Sequence, residues 1–513
     1  MKKKYLAPGF FLLSFMLCSY LSVFAQEQAD AQKTMDSLKT AIEKDPGNLD
    51  LHDAYLKVSG FTKWGAKEDP AFLEQYTKWM VMFPKIAAVP YALGHAYAGK
   101  ESPKAKPYLL KALEIDPKFD KAYFDLWIDA ERWGEFDKGS EYIRKASELK
   151  PDNPDYAFYY ASTWDDKDFQ KYKELSIGVA NRFPESERGA QALYWLAVKS
   201  KSNVDKIKYY EMLKEKFSPS KFNWSSSGMS GYYNLLLEDA PDKAQQLSEF
   251  MLNITTEARE KKSWEQNLAT AKSFNNVKEL MSQQKFQEAI NVLDAMKVNP
   301  RSPVYDMVLI QKAKALNATG NTDKAYNDLK VSYAILPEPE IGKIFRQYGA
   351  QLGKNESDIT KDLWYIRDTM ARVATPFTLK KYLTPGEASL SDFKGKVVLL
   401  TYWFPGCGPC RGEFPHFQNV VDKFKGKDFA YVGINIVPEQ NEYVIPFMKS
   451  SGYTFIPLED YEGRNKGNLD NRNAAPVNFL IDKEGRIVFR NIRTDGSNED
   501  VLEAMITSLL DRK

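Results

Sequence analysis

Cysteine and histidine are scarce in this chain: its 513 residues include three of each. The cysteines are Cys18, Cys407 and Cys410. Small exported domains that depend on disulfide bonds carry many more cysteines, so a disulfide-stapled fold is excluded. The sequence contains no nucleotide-binding loop, haem motif or metal-ligand cluster, so we expect no bound cofactor and no metal.

The chain also lacks an excess of charge of either sign. Lysine and arginine together number 71, and aspartate and glutamate together number 69. A balance this even produces no broad basic field, so we expect no nucleic-acid partner. Hydrophobic residues make up 43% of the chain and charged residues 27%, as in soluble globular proteins. At roughly 100–200 residues per domain, the chain is too long for a single core.

One long apolar run stands out, from about residue 10 to residue 24, and it follows the basic residues Lys2–Lys4. Two small residues, Val23 and Ala25, occupy the −3 and −1 positions of a cleavage site. This arrangement is typical of a secretory signal peptide. We therefore expect residues 1–25 to be removed and the protein to be exported.

Two alternatives remain open for this segment. The apolar run is nearly long enough to span a membrane, so it could be retained as an anchor. In a lipoprotein Cys18 would be the acylated residue, but Leu17 stands where a small residue is expected. If residues 1–25 are removed, two cysteines remain. An exported protein with a single C-x-x-C pair indicates redox chemistry.

Residues 26–365 are predicted to be helical throughout, and a 34-residue repeat is visible in part of this region. Small residues let two helices of a hairpin approach closely, large ones fill the groove, and a proline ends the second helix. One unit fits this tetratricopeptide pattern at Tyr123, Leu126, Ala130, Gly139, Ile143, Ala146 and Pro151. The preceding unit fits with one deletion at Leu93, Gly94, Tyr97, Ala105, Leu109, Ala112 and Pro117. A later unit fits at Leu309, Ala313, Leu316, Ala325, Leu329 and Pro337.

The helical region therefore resembles tetratricopeptide-repeat proteins, and we expect its surface to bind a protein partner. A plain helical bundle with chance matches is the alternative. The region contains no cysteine and only the histidines His52 and His95, so no catalytic site assembles from its sequence. Its many tyrosines and tryptophans favour packing over a ligand site.

A second domain is predicted over residues 372–513. Val397–Trp403 reads as a buried central strand and 429–434 as another, with helices after each. The segments 477–481 and 487–489 form a predicted hairpin, and a last helix covers about 499–510. The predicted order is βαβαββα. The fold class is therefore an all-α repeat region followed by an α/β domain.

The C-x-x-C pair falls where the first buried strand turns into a helix. Cys407 is then at a helix N-terminus, where unpaired backbone N–H groups and the helix dipole stabilise a thiolate. Cys410 lies one turn inside the helix and is covered. Such a pair is suited to attack by Cys407 and resolution of the mixed disulfide by Cys410.

Two other interpretations of the pair were weighed. Half a zinc site would need further ligands, but there is no second cysteine pair, and the nearest histidine, His416, has no companion ligand in the sequence. An inert structural disulfide would close a very short loop and stabilise little. Both are disfavoured relative to a redox role.

Residues 372–513 resemble the thioredoxin superfamily, and in particular exported disulfide reductases of the TlpA/ResA type. The resemblance is carried by Cys-Gly-Pro-Cys at 407–410, by Pro415, by Ala475-Pro476 before a strand, and by Glu413 in a Cys-Arg-Gly-Glu-Phe-Pro context. It covers about the last quarter of the chain. It implies a thioredoxin-like fold and a cis-proline at Pro476 that presents backbone to a substrate strand. It also implies that Glu413 exchanges a proton with Cys410, although a solvated helix carboxylate is the alternative for Glu413.

The same resemblance implies protein thiol and disulfide substrates, a membrane-bound electron donor, and the periplasm or cell envelope of a Gram-negative-type bacterium. Two departures from the family pattern occur. Thr401 stands where thioredoxins carry a buried acid, and Gly406 stands where the family usually has tryptophan. With threonine at position 401, Glu413 or water must accept and supply the protons of the reaction. With glycine at position 406, the choice of substrate is in doubt.

Four functional hypotheses follow. A disulfide reductase leads, and an oxidant or isomerase would use the same residues at a different reduction potential. A thiol peroxidase is disfavoured. Such enzymes carry a proline seven residues before the attacking cysteine and a threonine or serine three before it, and these positions are Leu400 and Phe404 here. In the fourth hypothesis the repeats form a scaffold and the redox domain is incidental.

Overall fold

A computed structural model describes residues 30–63, 70–300, 302–460 and 467–512. The predicted signal peptide, residues 1–25, and Cys18 lie outside the described residues. Among the residues that are described, no helix combines the length and the apolar character needed to cross a bilayer.

The chain divides into two compact units, Met1–Lys150 and Pro151–Lys513. The described part of the first unit is entirely helical. Its helices are α1 (residues 30–44), α2 (Leu49–Val58), α3 (Pro70–Met82), α4 (Ala88–Gly99), α5 (Ala105–Ile115), α6 (Asp120–Trp133) and α7 (Phe136–Leu149).

The second unit begins with twelve helices in its described residues and ends with a mixed α/β domain. The helices are α8 (Pro154–Ser162), α9 (Phe169–Arg182), α10 (Glu187–Lys199), α11 (Asn203–Lys216), α12 (Asn223–Asp239), α13 (Pro241–Ile254), α14 (Ala258–Ser282), α15 (Phe286–Ala295), α16 (Pro303–Ala318), α17 (Thr322–Ile335), α18 (Pro339–Gln351) and α19 (Glu356–Met370). The predicted helical region is therefore confirmed in its secondary structure, and its helices run to Met370. The predicted domain boundary between 365 and 372 stays a prediction.

Helical hairpins form where the repeat pattern was found. In the α4–α5 hairpin, a Cβ built on Gly94 would lie 2.9 Å from Leu109 Cδ2 and 3.1 Å from the Leu109 backbone nitrogen. In the α6–α7 hairpin the pattern residues Ala130, Ile143 and Ala146 are all buried. Close helix approach thus depends on small residues at the expected positions. These hairpins are compatible with tetratricopeptide repeats, and that family assignment stays a prediction.

The α/β domain is built on one eight-stranded sheet. Its strands are β1 (Arg372–Val373), β2 (Thr378–Lys381), β3 (Glu387–Ser389), β4 (Val397–Trp403), β5 (Phe429–Asn435), β6 (Ile456–Glu459), β7 (Val477–Ile481) and β8 (Arg486–Arg490). Its helices are α20 (Gly408–Lys423), α21 (Asn441–Ser451) and α22 (Glu499–Leu510). The strand order is β1-β8-β7-β4-β5-β6-β2-β3. Strands β4, β5 and β6 are parallel, and β7 and β8 form an antiparallel hairpin beside β4.

The predicted element order βαβαββα is incomplete. The structure adds the parallel strand β6 after α21, and the residues that lead into the domain form β1, β2 and β3. The sequence of β6, Ile-Pro-Leu-Glu, is short and contains a proline, which weakens its strand signal. Its pairing with β5 is decided by the sheet rather than by local preference.

The end of α19 packs against the sheet. Asp368 Oδ1 forms ion pairs with Arg486 Nη1 at 3.1 Å and with Arg512 Nη1 at 2.8 Å. The Arg367 guanidinium lies 5.1 Å from the ring centroid of Phe489, and its Nε donates to the carbonyl of Ala334. The last helix of the second unit's array is thus attached to the α/β domain by charge and cation–π contacts.

Replacing Gly94 with alanine should destabilise the first unit by about 1–3 kcal/mol, because the added Cβ overpacks the α4–α5 contact. The matched control is Gly99→Ala at the end of the same helix, where an added Cβ meets nothing within 4 Å. We expect that variant to be unchanged or slightly more stable. Urea denaturation of both variants measures the difference, and equal stabilities would contradict the close-approach explanation.

Candidate active site

Cys407 and Cys410 lie at the junction between β4 and α20, as expected. Cys407 is the N-cap residue of α20, and its Sγ accepts a hydrogen bond from the Cys410 backbone N–H at 3.2 Å. A disulfide joins the two cysteines, whose Cα atoms are 5.3 Å apart. Cys407 is 3% exposed and Cys410 is fully buried, so Cys407 is the more accessible residue of the pair.

The loop before Cys407 is held by two hydrogen bonds. The Gly406 backbone N–H donates to Gln440 Oε1 at 2.6 Å, and Arg411 Nη1 donates to the Pro405 carbonyl at 2.9 Å. The dipole of the sixteen-residue helix α20 points its positive end at Cys407. The arrangement stabilises the Cys407 thiolate of the reduced form.

Glu413 lies one turn beyond Cys410, and it is a buried carboxyl rather than a solvated one: its residue is 7% exposed. Its Oε2 accepts from Asn478 Nδ2 at 2.9 Å, and its Oε1 accepts from Arg493 Nη1 at 3.2 Å. Burial raises the pKa of Glu413 above its ordinary value, although the hydrogen bonds from Asn478 and Arg493 oppose the rise. A buried carboxyl with a raised pKa is better suited to hold and exchange a proton than an exposed glutamate is.

Pro476 lies immediately before β7. The Ala475–Pro476 peptide bond is cis, as the family resemblance implies. Strand β7 runs antiparallel to β4 and pairs with Val398–Tyr402, so that its first residue, Val477, lies opposite Tyr402 near the carboxyl end of β4. Because β4 leads directly into the Cys407 loop, the sheet brings the Pro476 loop to the same end of the domain as the cysteines. Pro415 lies inside α20, where the family has its helix proline.

Sequence reasoning missed the residues that surround Glu413. Asn478 interrupts the otherwise apolar strand β7 and is fully buried, and a polar residue in the middle of a buried strand is a signal that could have found it. Arg493 and Gln440 lie outside the strands and helices that the motif defines, and nothing in their local sequence marks them. They reach the site only through the tertiary fold.

Because Glu413 is buried, we expect the stability difference between wild type and Glu413→Gln to depend on pH. Because its folded-state pKa is raised, the wild-type protein loses stability as pH rises from the unfolded-state value through the folded-state value. The glutamine of Glu413→Gln does not titrate, so the free energy of unfolding of this variant relative to wild type should increase as pH rises through the interval between those two pKa values.

Urea denaturation at several pH values measures this change, with the exposed Glu442→Gln on α21 as the control. That control removes an exposed carboxyl of the same domain. A pH-independent difference for Glu413→Gln, or one that falls as pH rises, would contradict the buried-carboxyl assignment.

Residues 371–506 match the Redoxin family model. The thiol-disulfide oxidoreductase ResA of Bacillus subtilis is 38% identical over 99 residues, which are 19% of this chain and 54% of ResA. ResA of Geobacillus kaustophilus is 30% identical over 123 residues, which are 24% of this chain and 68% of that protein. The chain thus spans between about half and two thirds of the length of these relatives.

Among solved structures, the thioredoxin domain of a thiol-disulfide oxidoreductase from Bacteroides vulgatus is 27% identical. The match covers 27% of this chain and 96% of that domain, with a TM-score of 0.24. The C-terminal domain of this chain belongs to the thioredoxin-like family of thiol–disulfide oxidoreductases that includes the ResA proteins.

Proposed function

We propose that this protein is a cell-envelope disulfide reductase that acts on protein substrates through Cys407 and Cys410. The observation that carries the proposal is the pair itself: one slightly open sulfur at a helix N-terminus, one buried sulfur behind it, and a buried carboxyl one turn further along. The relatives named ResA are thiol–disulfide oxidoreductases, which supports the reaction class.

In the proposed reaction the Cys407 thiolate attacks one sulfur of a substrate disulfide and forms a mixed disulfide, and the other substrate sulfur leaves as a thiolate that takes a proton from water. The Cys410 thiol then transfers its proton to the Glu413 carboxylate, and the resulting thiolate attacks Cys407 Sγ. The second substrate sulfur leaves as a thiolate and takes the proton that Glu413 holds. Substrate gains two electrons and two protons, and the enzyme pair becomes the Cys407–Cys410 disulfide.

Pro476 is the proposed docking point for the substrate. The strand that follows it, β7, lies beside β4, and the residue before it, Ala475, is only partly buried. An extended substrate segment could pair with the backbone of Ala475 as an added strand. This would place a substrate disulfide next to Cys407 at the same end of the sheet.

The reducing direction is supported by the Gly-Pro pair between the cysteines, which is shared with thioredoxin, whose potential is about −270 mV. The reduction potential of a strong oxidant is about −120 mV. The two potentials differ by several kcal/mol in free energy. A periplasm has no reducing buffer, so the proposed reductase receives its electrons from a membrane-bound donor. The signal-like residues 1–25 support export to the envelope.

The helical array is the proposed binding module for a protein partner. Residues 26–365 lie outside the Redoxin match and make up most of the chain. Helical repeats present extended surfaces that bind proteins. The array would then bring a substrate or donor to the redox domain, to which the end of α19 is attached.

The equilibrium reduction potential of the Cys407–Cys410 pair decides the direction. We expect a value below about −220 mV for the purified protein, measured against glutathione or dithiothreitol buffers. A value above about −150 mV would overturn the reductase proposal and make the protein an oxidant or isomerase of envelope thiols.

Because Cys407 is the proposed attacking cysteine and Cys410 the resolving one, we expect different products from two variants in a Cys18→Ala background. Cys410→Ser should accumulate a mixed disulfide with a disulfide-bonded protein such as insulin, because resolution is blocked. Cys407→Ser should form little of it, since Cys410 is fully buried. Non-reducing gel electrophoresis and mass spectrometry measure the adduct. Equal trapping by both variants would contradict these roles. A cellular function that survives Cys407→Ser would favour the scaffold hypothesis.

A further inference from the structure

Residues 404–407 form a β-turn, the active-site turn, that connects β4 to α20. The Cys407 backbone N–H closes it by donating to the Phe404 carbonyl at 2.9 Å, and Pro405 and Gly406 occupy its two central positions. A Pro-Gly pair favours a type II turn, in which the glycine has a positive φ. Among the described residues, Gly406 is not one of the glycines with a positive φ. The central peptide therefore has an orientation that a Pro-Gly pair by itself does not favour.

Both polar atoms of this central peptide are held by side chains from outside the turn. The Gly406 N–H donates to Gln440 Oε1 at 2.6 Å. The Pro405 carbonyl accepts from Arg411 Nη1 at 2.9 Å. If the peptide rotated into the type II orientation, its N–H and its carbonyl would exchange sides. A guanidinium only donates hydrogen bonds, so it would then face another donor. The two bonds thus select one orientation of the peptide.

The parallel sheet and one buried asparagine bring Gln440 to the turn. Trp403 and Asn435 are the last residues of β4 and β5 and lie opposite each other, so the segments that follow them leave the same edge of the sheet. Asn435 Oδ1 accepts from the Val437 N–H at 3.2 Å, and Asn435 Nδ2 donates to Asn441 Oδ1 at 2.8 Å. These bonds hold the chain on both sides of Gln440, which is fully buried. The fold therefore fixes the position of this glutamine.

Burial of the Gln440 side chain has a cost that an apolar residue would avoid. An amide that leaves water costs free energy unless its polar atoms are hydrogen-bonded, and methionine would fill a similar volume without that cost. The Gln440 oxygen binds the backbone N–H of the residue immediately before Cys407. The bond therefore acts on the backbone segment that sets where the Cys407 sulfur lies relative to α20.

We propose that Gln440 and Arg411 are positioning residues that keep Cys407 at the start of α20 in the reduced protein. In the oxidised protein the disulfide itself restrains Cys407. Once that bond is reduced, the Cys410 N–H and the active-site turn must hold the sulfur at the helix end. Stabilisation of a thiolate by a helix N-terminus falls off within one turn, so a turn free to rearrange would lose part of it. The inference rests on the proposed role of Cys407 as the attacking thiolate.

Charged groups occur on the elements that adjoin the turn and Gln440. They are Arg411 and Glu413 of α20, Glu439 before Gln440, Glu442 of α21, Asp460 after β6, and Arg493, which follows β8 and pairs with Glu413 at 3.2 Å. Gln440 carries no charge, so its replacement by methionine leaves every one of these groups in the protein. A changed thiol pKa in that variant then reports the position of Cys407 rather than an altered charge.

The thiol pKa of Cys407 in the full-length chain tests this assignment. A background of Cys18→Ala and Cys410→Ser leaves Cys407 as the only thiol and prevents the disulfide. In this background Gln440→Met should raise the pKa of Cys407 by about half a unit to one unit, the effect expected from the loss of one hydrogen bond. The pH dependence of the rate of alkylation by iodoacetamide measures the pKa.

The matched control is Gln418→Met. Gln418 lies on the same helix, and its Oε1 also accepts a backbone N–H, that of Thr454 at 3.0 Å, but it does not contact the turn. This control loses a hydrogen bond of the same kind and should leave the pKa of Cys407 unchanged. An unchanged or lowered pKa in Gln440→Met, or an equal rise in Gln418→Met, would overturn the assignment.

Arg411→Lys decides if Gln440→Met does not fold. Arg411 is partly exposed, and lysine keeps its charge while removing the planar guanidinium that donates to the Pro405 carbonyl. This variant should also raise the pKa of Cys407, and an unchanged value would overturn the assignment.

A second measurement separates this inference from the proposed reductase function. With both cysteines present, Gln440→Met should make the reduction potential of the pair more negative, because it destabilises the reduced form relative to the disulfide. The thiol pKa requires neither a substrate nor a direction of electron transfer. An oxidant-like potential of the wild-type protein with a raised pKa in Gln440→Met would overturn the reductase proposal but not the role of Gln440. A thioredoxin-like potential with an unchanged pKa would do the reverse.

Discussion

The end-to-end junction of β4 with α20 is the constraint on which the rest of the site depends. It makes Cys407 the N-cap of a sixteen-residue helix, so that its sulfur receives both the Cys410 N–H and the positive end of the helix dipole. The next turn of the same helix points Cys410 and Glu413 into the protein. The slight accessibility of Cys407 and the full burial of Cys410 both follow from this single junction.

Burial of Glu413 is the second determinant of the proposed chemistry. A carboxyl on the surface of α20 would be ionised throughout the neutral range and would hold a proton poorly. Burial raises the pKa of Glu413, while the hydrogen bonds from Asn478 and Arg493 oppose that rise. Thioredoxins place their buried acid on the central strand, and here that strand position is Thr401. The buried acid of this domain lies on the helix instead, at Glu413, and the strand position carries a hydroxyl.

The helical array and the redox domain are stabilised by different kinds of packing. The array gains its stability from many short helical hairpins, whose close approach depends on small residues such as Gly94. The redox domain gains its stability from one continuous sheet covered by helices. The end of α19 links them within the second unit, because Asp368 pairs with both Arg486 and Arg512. A redox site attached in this way keeps a defined position relative to the last helices of the array.

The sequence by itself determined the features that local pattern controls. These are the helices before residue 370, the buried strand β4, the C-x-x-C pair at a helix start, and the proline before β7. Periodicity and turn chemistry encode such features within a few residues. Only the tertiary structure decided that β6 joins the sheet, and that Asn478 and Arg493 enclose Glu413 from 65 and 80 residues away. Contacts over such separations depend on which strands pair and in which register, and no local signal in a single sequence specifies that pairing.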